Sequence, residues 1–344
     1  AWLNIAEVCT AVRSAAGTKP FDQTAHDRLE AFFRAKSEEG YRVLAVAERH
    51  VPAQSHYGHD VEAGMTLAGF ILFFDPPRAS ARDTIERLAA LGIDIRVITG
   101  DNRYVAAHVA REVGLDAKSM LTGAEIDGMK EEAFWQRAAS TDLFVEVDPQ
   151  QKERIVRALQ RNGHAVGFMG DGINDAPALH AADVGISVDS AVDVARESAD
   201  VVLLRPDLAV LQRGVEDGRR TFANTLKYIC ITTSANFGNM VSMALATPLL
   251  PFLPLAAKQI LLNNFLSDLP SLAISTDNVD PERTATAQRW NIGEVWRFML
   301  VFGLISTVFD LLTFTLLLRV FDAGETEFQT VWFVVSLLTE LMVV

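Results

Sequence analysis

The sequence has 344 residues, is 49% hydrophobic and carries a formal net charge of −13 at pH 7. This length allows more than one domain, and the acidic balance argues against a nucleic-acid partner, which needs a basic surface. Only two cysteines occur, Cys9 and Cys230, so there is neither a disulfide framework nor the ligand spacing of a zinc site.

The charge is concentrated before about residue 220, and predicted strands and helices alternate there. Residues 25–37 have helical spacing and residues 41–47 alternate as a strand, which we interpret as the end of one α/β lobe, residues 1–65. Residues 66–220 repeat strand and helix, which favours a mainly parallel sheet with helices on both faces. Strands are predicted at 67–74, 93–98, 143–146, 164–169, 184–187 and 201–204, and helices at 80–91, 104–113 and 150–162.

Long apolar runs dominate residues 221–344 and predict about four membrane-spanning helices, at 229–250, 255–275, 298–318 and from 331 onward. Buried helices of a large soluble protein are a weaker alternative for four such runs in series. The connector 277–297 contains Arg283, Arg289 and Arg297. This basic cluster predicts a multi-pass protein of the plasma membrane with residues 1 to about 225 in the cytoplasm. The chain lacks an initiator Met and ends in an apolar run, so we expect a fragment.

Polar side chains follow several predicted strands, where parallel sheets bind ligands. Asp75 ends one strand and Thr99-Gly100-Asp101 another, while Gly170-Asp171-Gly172-Ile173-Asn174-Asp175 joins a strand to a helix. Each alone is most often a turn. In combination and in this order they favour a phosphate site, because glycines let backbone amides approach an anion at a helix start.

Asp171 and Asp175 are spaced to share one side of the first helical turn. Mg²⁺ usually takes one or two carboxylates together with phosphate oxygens, so this pair predicts a catalytic Mg²⁺. Lys152 follows Pro149 at a predicted helix start and offers a point charge for a transferring phosphoryl group. By itself Lys152 would be a solvated helix residue.

Polar side chains inside the predicted spans indicate an ion route. Asn236 and Asn239 share a face of the first span. A second set lies one turn before Pro270 in the next span, and Glu340 is a further candidate in the last. Asparagines between helices also serve as hydrogen-bonding glue, but an ionised carboxylate needs a partner or a cation. The second set comprises Asn264, Ser267 and Asp268.

Four segments, taken in chain order, carry a family resemblance: Asp75-Pro76-Pro77-Arg78, Thr99-Gly100-Asp101, Pro149-Gln150-Gln151-Lys152, and the run of eleven from Met169 to Leu179 that includes the Asp171 loop. Together they resemble the C-terminal half of a P-type ATPase, over nearly the whole chain. The resemblance implies a haloacid-dehalogenase-like α/β domain followed by an all-α transmembrane bundle. It assigns 1–65 to the nucleotide-binding domain, 66–220 to the phosphorylation domain and 221–344 to membrane helices.

The resemblance also implies roles for the candidate residues. Asp171 would hold Mg²⁺, with Asn174 and Asp175 supporting the site. Thr99, Gly100 and Lys152 would contact the phosphoryl group, while Asp101 and Arg78 would bind nucleotide or position the domain. Arg42, in Gly40-Tyr41-Arg42-Val43, would contact ATP phosphates, although an exposed arginine at a strand edge is nearly as good an interpretation.

The chain departs from the family in lacking Asp-Lys-Thr-Gly-Thr, which holds the phosphorylated aspartate, and Thr-Gly-Glu-Ser. The nucleophile of covalent catalysis is therefore missing from this sequence. The resemblance places ATP hydrolysis through an aspartyl-phosphate intermediate in the full-length pump, and the chain alone is expected to be inactive.

Two membrane segments, 261–270 and 275–280, most resemble bacterial magnesium-transporting P-type ATPases and imply Mg²⁺ transport into the cytoplasm. Oxygen ligands without Cys or His fit a hard cation, but they do not separate Mg²⁺ from Ca²⁺. A calcium pump is thus the first alternative. A membrane-anchored phosphatase of the dehalogenase-like fold and a non-catalytic membrane interaction protein are weaker ones.

Overall fold

The computed structural model describes residues 2–15, 17–52, 58, 61–115, 119–205 and 207–343. The chain divides into two compact units, residues 1–212 and 213–344. The predicted order of an α/β region followed by a helical region is confirmed. The boundary between the two units lies after Gln212, inside a helix that begins at Leu208. The composition of the sequence changes further along this helix, near residue 220, so composition alone does not mark the boundary.

A four-stranded sheet with two helices forms the first part of the α/β unit. The strand order is β2-β1-β4-β3, with β1 and β4 parallel and the other neighbours antiparallel. Trp2, Phe33, Val43 and Leu67 form its buried core. The elements are α1 (Trp2–Val8), β1 (Cys9–Ser14), β2 (Gly17–Pro20), α2 (Gln23–Glu38), β3 (Tyr41–Glu48) and β4 (Met65–Phe74).

β4 corrects the predicted boundary at residue 65. It is hydrogen-bonded to β3 from Tyr41, opposite Phe74, to Glu48, opposite Thr66, so this sheet extends to Phe74. An apolar run such as 67–74 has the same pattern in either sheet, and only its tertiary partners assign it to one of them.

Two three-stranded parallel sheets follow, with orders β5-β7-β6 and β10-β9-β8. β5 and β8 are shorter than predicted, with two and three residues. The elements are α3 (Ala81–Ala90), β5 (Val97–Ile98), α4 (Arg103–Glu112), β6 (Met120–Thr122), α5 (Gly123–Gly128), α6 (Glu131–Ala139), β7 (Leu143–Val145), α7 (Pro149–Arg161), β8 (Gly167–Met169), a 3₁₀ helix (Ile173–Asp175), α8 (Ala176–Ala181), β9 (Val184–Val188), α9 (Asp193–Glu197) and β10 (Val201–Leu203).

The two parallel sheets share one hydrophobic core. Phe144 and Ile155 are fully buried in a cluster beneath β7 and α7, and Phe168 and Leu179 are buried in a cluster between β8 and α8. Ile98 and Val166 pack against both clusters. Because the core is continuous, the ends of β5 and β8 are held in a fixed relation, which positions the polar loops that follow them.

The second unit is helical. Its elements are α10 (Leu208–Ala246), α11 (Ala257–Ser271), a 3₁₀ helix (Leu272–Thr276), α12 (Pro281–Ala285), α13 (Ile292–Arg319) and α14 (Glu325–Val343). The four predicted spans overlap α10, α11 with its 3₁₀ extension, α13 and α14, although the first predicted span runs past the end of α10 and the second begins before α11. α14 begins at Glu325, six residues before the predicted start at 331.

Among the described residues, α13 is the one helix long and apolar enough to cross a membrane by length and composition. α11 has 15 residues, fewer than the roughly 20 that a full helical span needs. The prediction of four spans therefore remains a prediction.

α10 and α13 approach closely at a pair of glycines. A Cβ added at Gly303 would lie 2.6 Å from a ring carbon of Phe237, and one at Gly238 would lie 3.0 Å from the Gly303 carbonyl oxygen. Small residues at such a crossing let two helix backbones pack directly, as is common between membrane helices.

Candidate functional site

A cleft of about 410 Å³ in the α/β unit collects most of the predicted catalytic residues. Its lining comprises Arg42, Thr99, Gly100, Asp101, Val147, Pro149, Lys152 and Asn174. Six of these eight residues are candidates from the sequence, drawn from segments far apart in the chain. The fold therefore brings the predicted phosphoryl-contacting residues to one place.

The loop after β5 forms one wall of the cleft. The Asp101 amide donates to the Thr99 hydroxyl oxygen at 3.1 Å, and that hydroxyl donates to Asp101 Oδ2 at 3.2 Å. A Cβ at Gly100 would lie 3.3 Å from the Val147 carbonyl oxygen, so glycine permits the close approach of the two loops. Asn102 caps α4 by accepting from the Tyr104 and Val105 amides, which fixes where the loop ends.

Arg42 on β3 reaches this loop from the first sheet. Its Nη2 lies 2.7 Å from Asp101 Oδ1 and 2.8 Å from Oδ2. The hydrogen bond that Arg42 donates to the Asp101 carboxylate raises the pKa of Arg42, and the charge of Asp75 adds to the effect. Arg42 is thus paired with Asp101 at the cleft, while it remains an exposed arginine on the edge strand β3, so both interpretations of it stay open.

Lys152 and Asp175 form a largely buried ion pair at the opposite wall. Lys152 Nζ lies 2.7 Å from Asp175 Oδ1, with side-chain exposures of 12% and 13%. α7 begins with a capping box in which Asp148 accepts from the Gln151 amide and Gln151 accepts from the Asp148 amide. This cap sets the first turn of α7, and Lys152 with it.

Asp175 also holds the loop after β8. Its Oδ2 accepts from the Gly172 amide at 3.1 Å, and a Cβ at Gly170 would lie 2.5 Å from the Asp175 Cβ. Both carboxylate oxygens of Asp175 thus have protein donors. These contacts position Lys152 and the loop, which fits the supporting role that the resemblance implies for Asp175, and its part in holding Mg²⁺ stays a prediction.

Asp171 has the contrasting environment, because its side chain is exposed. Its backbone carbonyl accepts from the Val192 amide, which ties the loop to the start of α9. Across the described ranges no group of three or more His, Cys, Asp or Glu residues is close enough to hold a metal by itself. One carboxylate beside a phosphate site still fits Mg²⁺, which takes one or two carboxylates and fills its shell with water and phosphate oxygens.

Arg78 does not line the cleft. It is exposed in the segment between β4 and α3, and its predicted role in binding nucleotide or positioning the domain stays a prediction.

A second polar cluster lies among the helices, centred on Glu340 of α14. Asn239 Nδ2 donates to Glu340 Oε1 at 2.7 Å, and Asn263 Nδ2 lies 3.3 and 3.4 Å from its two oxygens. Ser336 donates to Asn239 Oδ1 at 3.2 Å. α10, α11 and α14 therefore each contribute a polar side chain to one cluster.

The structure separates the predicted ion-route residues into two groups. Asn239 and Glu340 meet, whereas Asn236, Asn264 and Asp268 are exposed and lie outside the cluster. Ser267 is half-buried, lies within hydrogen-bonding reach of the Asn264 carbonyl in its own helix, and also contacts the Glu340 carboxylate. Of the two asparagines predicted to share a face of α10, Asn239 contacts Glu340 and Asn236 is exposed, so an ion-route role for Asn236 stays a prediction.

Comparison with known proteins covers both units of the chain. Residues 10–183 match the haloacid dehalogenase-like hydrolase family, and residues 252–344 match the C-terminus of cation-transporting ATPases. A "Magnesium-transporting ATPase, P-type 1" of Salmonella typhimurium is 47% identical over 99% of this chain and 38% of its own length. The chain belongs to the P-type ATPases.

Other relatives extend the comparison. The Escherichia coli (strain K12) "Magnesium-transporting ATPase, P-type 1" is 46% identical over 99% of this chain and 38% of its own length. An "Endoplasmic reticulum calcium ATPase" of Aspergillus fumigatus is 35% identical over 73% of this chain and 27% of its own length. The chain thus spans well under half of each of these P-type ATPases.

The sequence analysis missed two polar residues of the helical unit. Asn263 is 3% exposed, and Asp310 of α13 is 6% exposed and accepts from Ser242 at 2.6 Å and from Trp332 at 3.0 Å. Asp310 could have been found, because it is an ionisable residue in the middle of a predicted span. Asn263 could not be separated from Asn264 by residue type alone.

Glu146, which the sequence analysis used only as a strand residue, shapes the same cleft. Its φ of 56° lies in the left-handed region, and its amide donates to the Asp101 carbonyl at 3.0 Å. Arg103 holds the carboxylate with Nε at 3.1 Å and Nη2 at 3.0 Å. The strained backbone turns the chain from β7 toward the Thr99 loop, and the ion pair helps to hold it there.

Replacing Glu146 with Gln is expected to lower the free energy of unfolding at pH 7 by about 1 kcal/mol or less, since the pair is partly exposed. Burial alone would raise the pKa of Glu146, but the Arg103 hydrogen bonds outweigh it and the pKa is lowered from 4.5. The stabilisation is therefore complete above the ordinary carboxyl pKa and is lost as the pH falls through the lowered one. Denaturant unfolding of the whole chain in detergent at a series of pH values measures this.

The control for this prediction is Glu197→Gln, at an exposed position at the end of α9. The difference between wild type and Glu146→Gln should shrink below pH 4.5, while the control should show little difference at any pH. A difference that stays constant over the whole series would contradict the role given to the ion pair.

Proposed function

We propose that this chain supplies the phosphate-binding half of the catalytic site, and part of the ion route, of an ATP-driven Mg²⁺ pump in the plasma membrane. The observation that carries the proposal is the single cleft in which Arg42, Thr99, Asp101 and Lys152 meet. The positively charged side chains of Arg42 and Lys152 and the Thr99 hydroxyl meet in this cleft, and groups of this kind stabilise a transferring phosphoryl group.

The roles divide by environment. Arg42, already at Asp101, is placed to exchange that carboxylate for ATP phosphates. Lys152 is pre-oriented by Asp175, so little side-chain freedom is lost when it contacts a phosphoryl group. Thr99, the Gly100 backbone and Asn174 offer uncharged contacts on the same lining.

Asp171, with Asn174 beside it, would hold the catalytic Mg²⁺. When bound, Mg²⁺ neutralises charge on phosphoryl oxygens. The aspartate that receives the phosphoryl group belongs to Asp-Lys-Thr-Gly-Thr, which this sequence does not contain, so it would come from another segment of the complete pump.

The transported ion would pass through the helical unit, where Glu340 and Asn239 meet. An oxygen-only cluster suits a hard divalent cation. Two magnesium-transporting relatives match over 99% of this chain, which favours Mg²⁺. Ca²⁺ is the second candidate, because a calcium ATPase matches over 73% of it. The basic connector with Arg283, Arg289 and Arg297 supports a cytoplasmic position for it and for residues 1 to about 225.

A chimaera tests the proposal. The matching segment of the Salmonella typhimurium ATPase is replaced by this chain and expressed in a bacterial strain without Mg²⁺ uptake systems. We expect ATP-dependent uptake of radioactive Mg²⁺ and growth at low Mg²⁺, with little uptake of Ca²⁺. Preferential Ca²⁺ uptake would favour the second candidate, and a correctly inserted chimaera that moves neither ion would refute the pump.

A further inference from the structure

The Glu340 carboxylate lies between helices, and the groups that contact it carry no full positive charge. No Lys or Arg in the described part of the chain forms an ion pair with it, and its oxygens accept from the amide groups of Asn239 and Asn263 and from the Ser267 hydroxyl. Amide N–H groups carry only partial positive charge. They satisfy the hydrogen bonding of a carboxylate, but they do not neutralise it as a cation or a proton would.

Asn263 contributes a second polar group to the same cluster whose hydrogen bonding is incomplete. The residue is 3% exposed, its Nδ2 lies on both Glu340 oxygens, and its Oδ1 accepts no hydrogen bond within the described residues. A buried oxygen without a donor is costly and rarely retained without a function. The neighbouring Asn264 is exposed, so packing turns one of two adjacent amides inward.

We propose that Asn263 is a ligand of the transported cation, binding it together with Glu340 and Asn239. Rotation of each carboxamide exchanges its NH₂ for its oxygen, so a cation beside Glu340 is met by one carboxylate and two amide oxygens. The final torsion of asparagine is broad and nearly two-fold, so this rotation needs little rearrangement of the backbone.

This ligand set also indicates the class of cation. One carboxylate and two neutral oxygens leave a divalent ion short of a full shell, so it would keep several waters, as Mg²⁺ does in proteins. Ca²⁺ generally takes six to eight oxygens, and this set supplies few of them. The inference rests on the proposed function and adds a residue that the sequence analysis did not select.

Two variants of the chimaera test Asn263. Asn263→Leu keeps the approximate shape but removes the oxygen, and it should raise the Mg²⁺ concentration for half-maximal uptake at least about 10-fold. Asn263→Asp retains an oxygen and adds charge, so it should lower that concentration. Gln329→Met is the matched control, because it removes an amide that donates to the Leu253 carbonyl on the same helix bundle.

A binding measurement tests the role of Asn263 without requiring the chimaera to transport ions. In an Asp171→Asn background, which lacks the proposed catalytic Mg²⁺ ligand, Mg²⁺ should still raise the melting temperature of the detergent-solubilised chimaera, and Asn263→Leu should abolish that rise. If wild-type uptake is normal and both Asn263 variants match it, Asn263 is not a ligand and the pump assignment stands. If the wild-type chimaera moves no Mg²⁺, the proposed function itself fails.

Discussion

Phosphorylation of the chimaera by labelled ATP should fall at least about 100-fold when Asp171 is changed to Asn. Asp171 is the exposed carboxylate of the loop after β8, whereas Asp175 in the same loop already has donors on both oxygens. Asparagine keeps the shape and an oxygen but loses the charge that favours Mg²⁺. The measurement is the acid-stable phosphoenzyme formed in a fixed time at a series of Mg²⁺ concentrations.

Asp94→Asn is the matched control, because Asp94 is exposed and precedes β5, at the opposite end of that strand from Thr99. The control should form phosphoenzyme as wild type does. A normal phosphoenzyme level in Asp171→Asn at limiting Mg²⁺ would remove Asp171 from the metal site.

The second large effect is expected from breaking the Lys152–Asp175 pair. Asp175→Asn keeps the acceptor for the Gly172 amide but leaves the Lys152 ammonium, 12% exposed, without a counter-charge. We expect the segment 149–181 to be destabilised by about 2 kcal/mol or more, since the loss of one partner of a buried pair is costly. Hydrogen–deuterium exchange of peptides from this segment, in the whole chain in detergent, measures the opening free energy.

The double variant Lys152→Met with Asp175→Asn separates structure from chemistry. It should regain more than half of the lost opening free energy, because no buried charge is left unpaired, yet phosphorylation of the chimaera should stay low without the ammonium. Glu153→Gln breaks the exposed pair with Arg157 on the same helix and should cost no more than about 0.5 kcal/mol. Additive losses in the double variant would contradict a coupled pair.

That the candidate cleft residues would lie at strand ends and a helix start could be predicted, because they follow elements with strong local patterns. Thr99-Gly100-Asp101 follows an apolar strand, so its position at a strand end was predicted from the apolar pattern. Lys152 follows Pro149, which marks the start of a helix. The part played by Glu146 could not be predicted in this way. A left-handed backbone conformation at a non-glycine residue has no sequence signal and depends on the contacts around it.

The loop at Asp171 shows the same limit within a single motif. The sequence places two carboxylates, Asp171 and Asp175, near a phosphate site, but it does not say which groups Asp175 contacts. In the folded chain, Asp175 accepts hydrogen bonds from Lys152 and from the Gly172 amide, whereas Asp171 is exposed. The two carboxylates differ because α7 brings Lys152 to one side of the loop only.

The sequence by itself determined the class of this protein: an α/β unit with the family's phosphate motifs, followed by helices with buried polar groups. Alternation of strand and helix, glycine spacing and apolar run length are local properties, and local properties are read from the chain directly. Only the tertiary structure decided that β4 belongs to the first sheet, that Arg42 reaches Asp101, and that Asn263 rather than Asn264 meets Glu340. Each of these depends on which residues pack together across long separations in sequence. Successive residues of an α-helix point about 100° apart around the helix axis. The rotation of α11 about its own axis therefore decides whether Asn263 or Asn264 is buried.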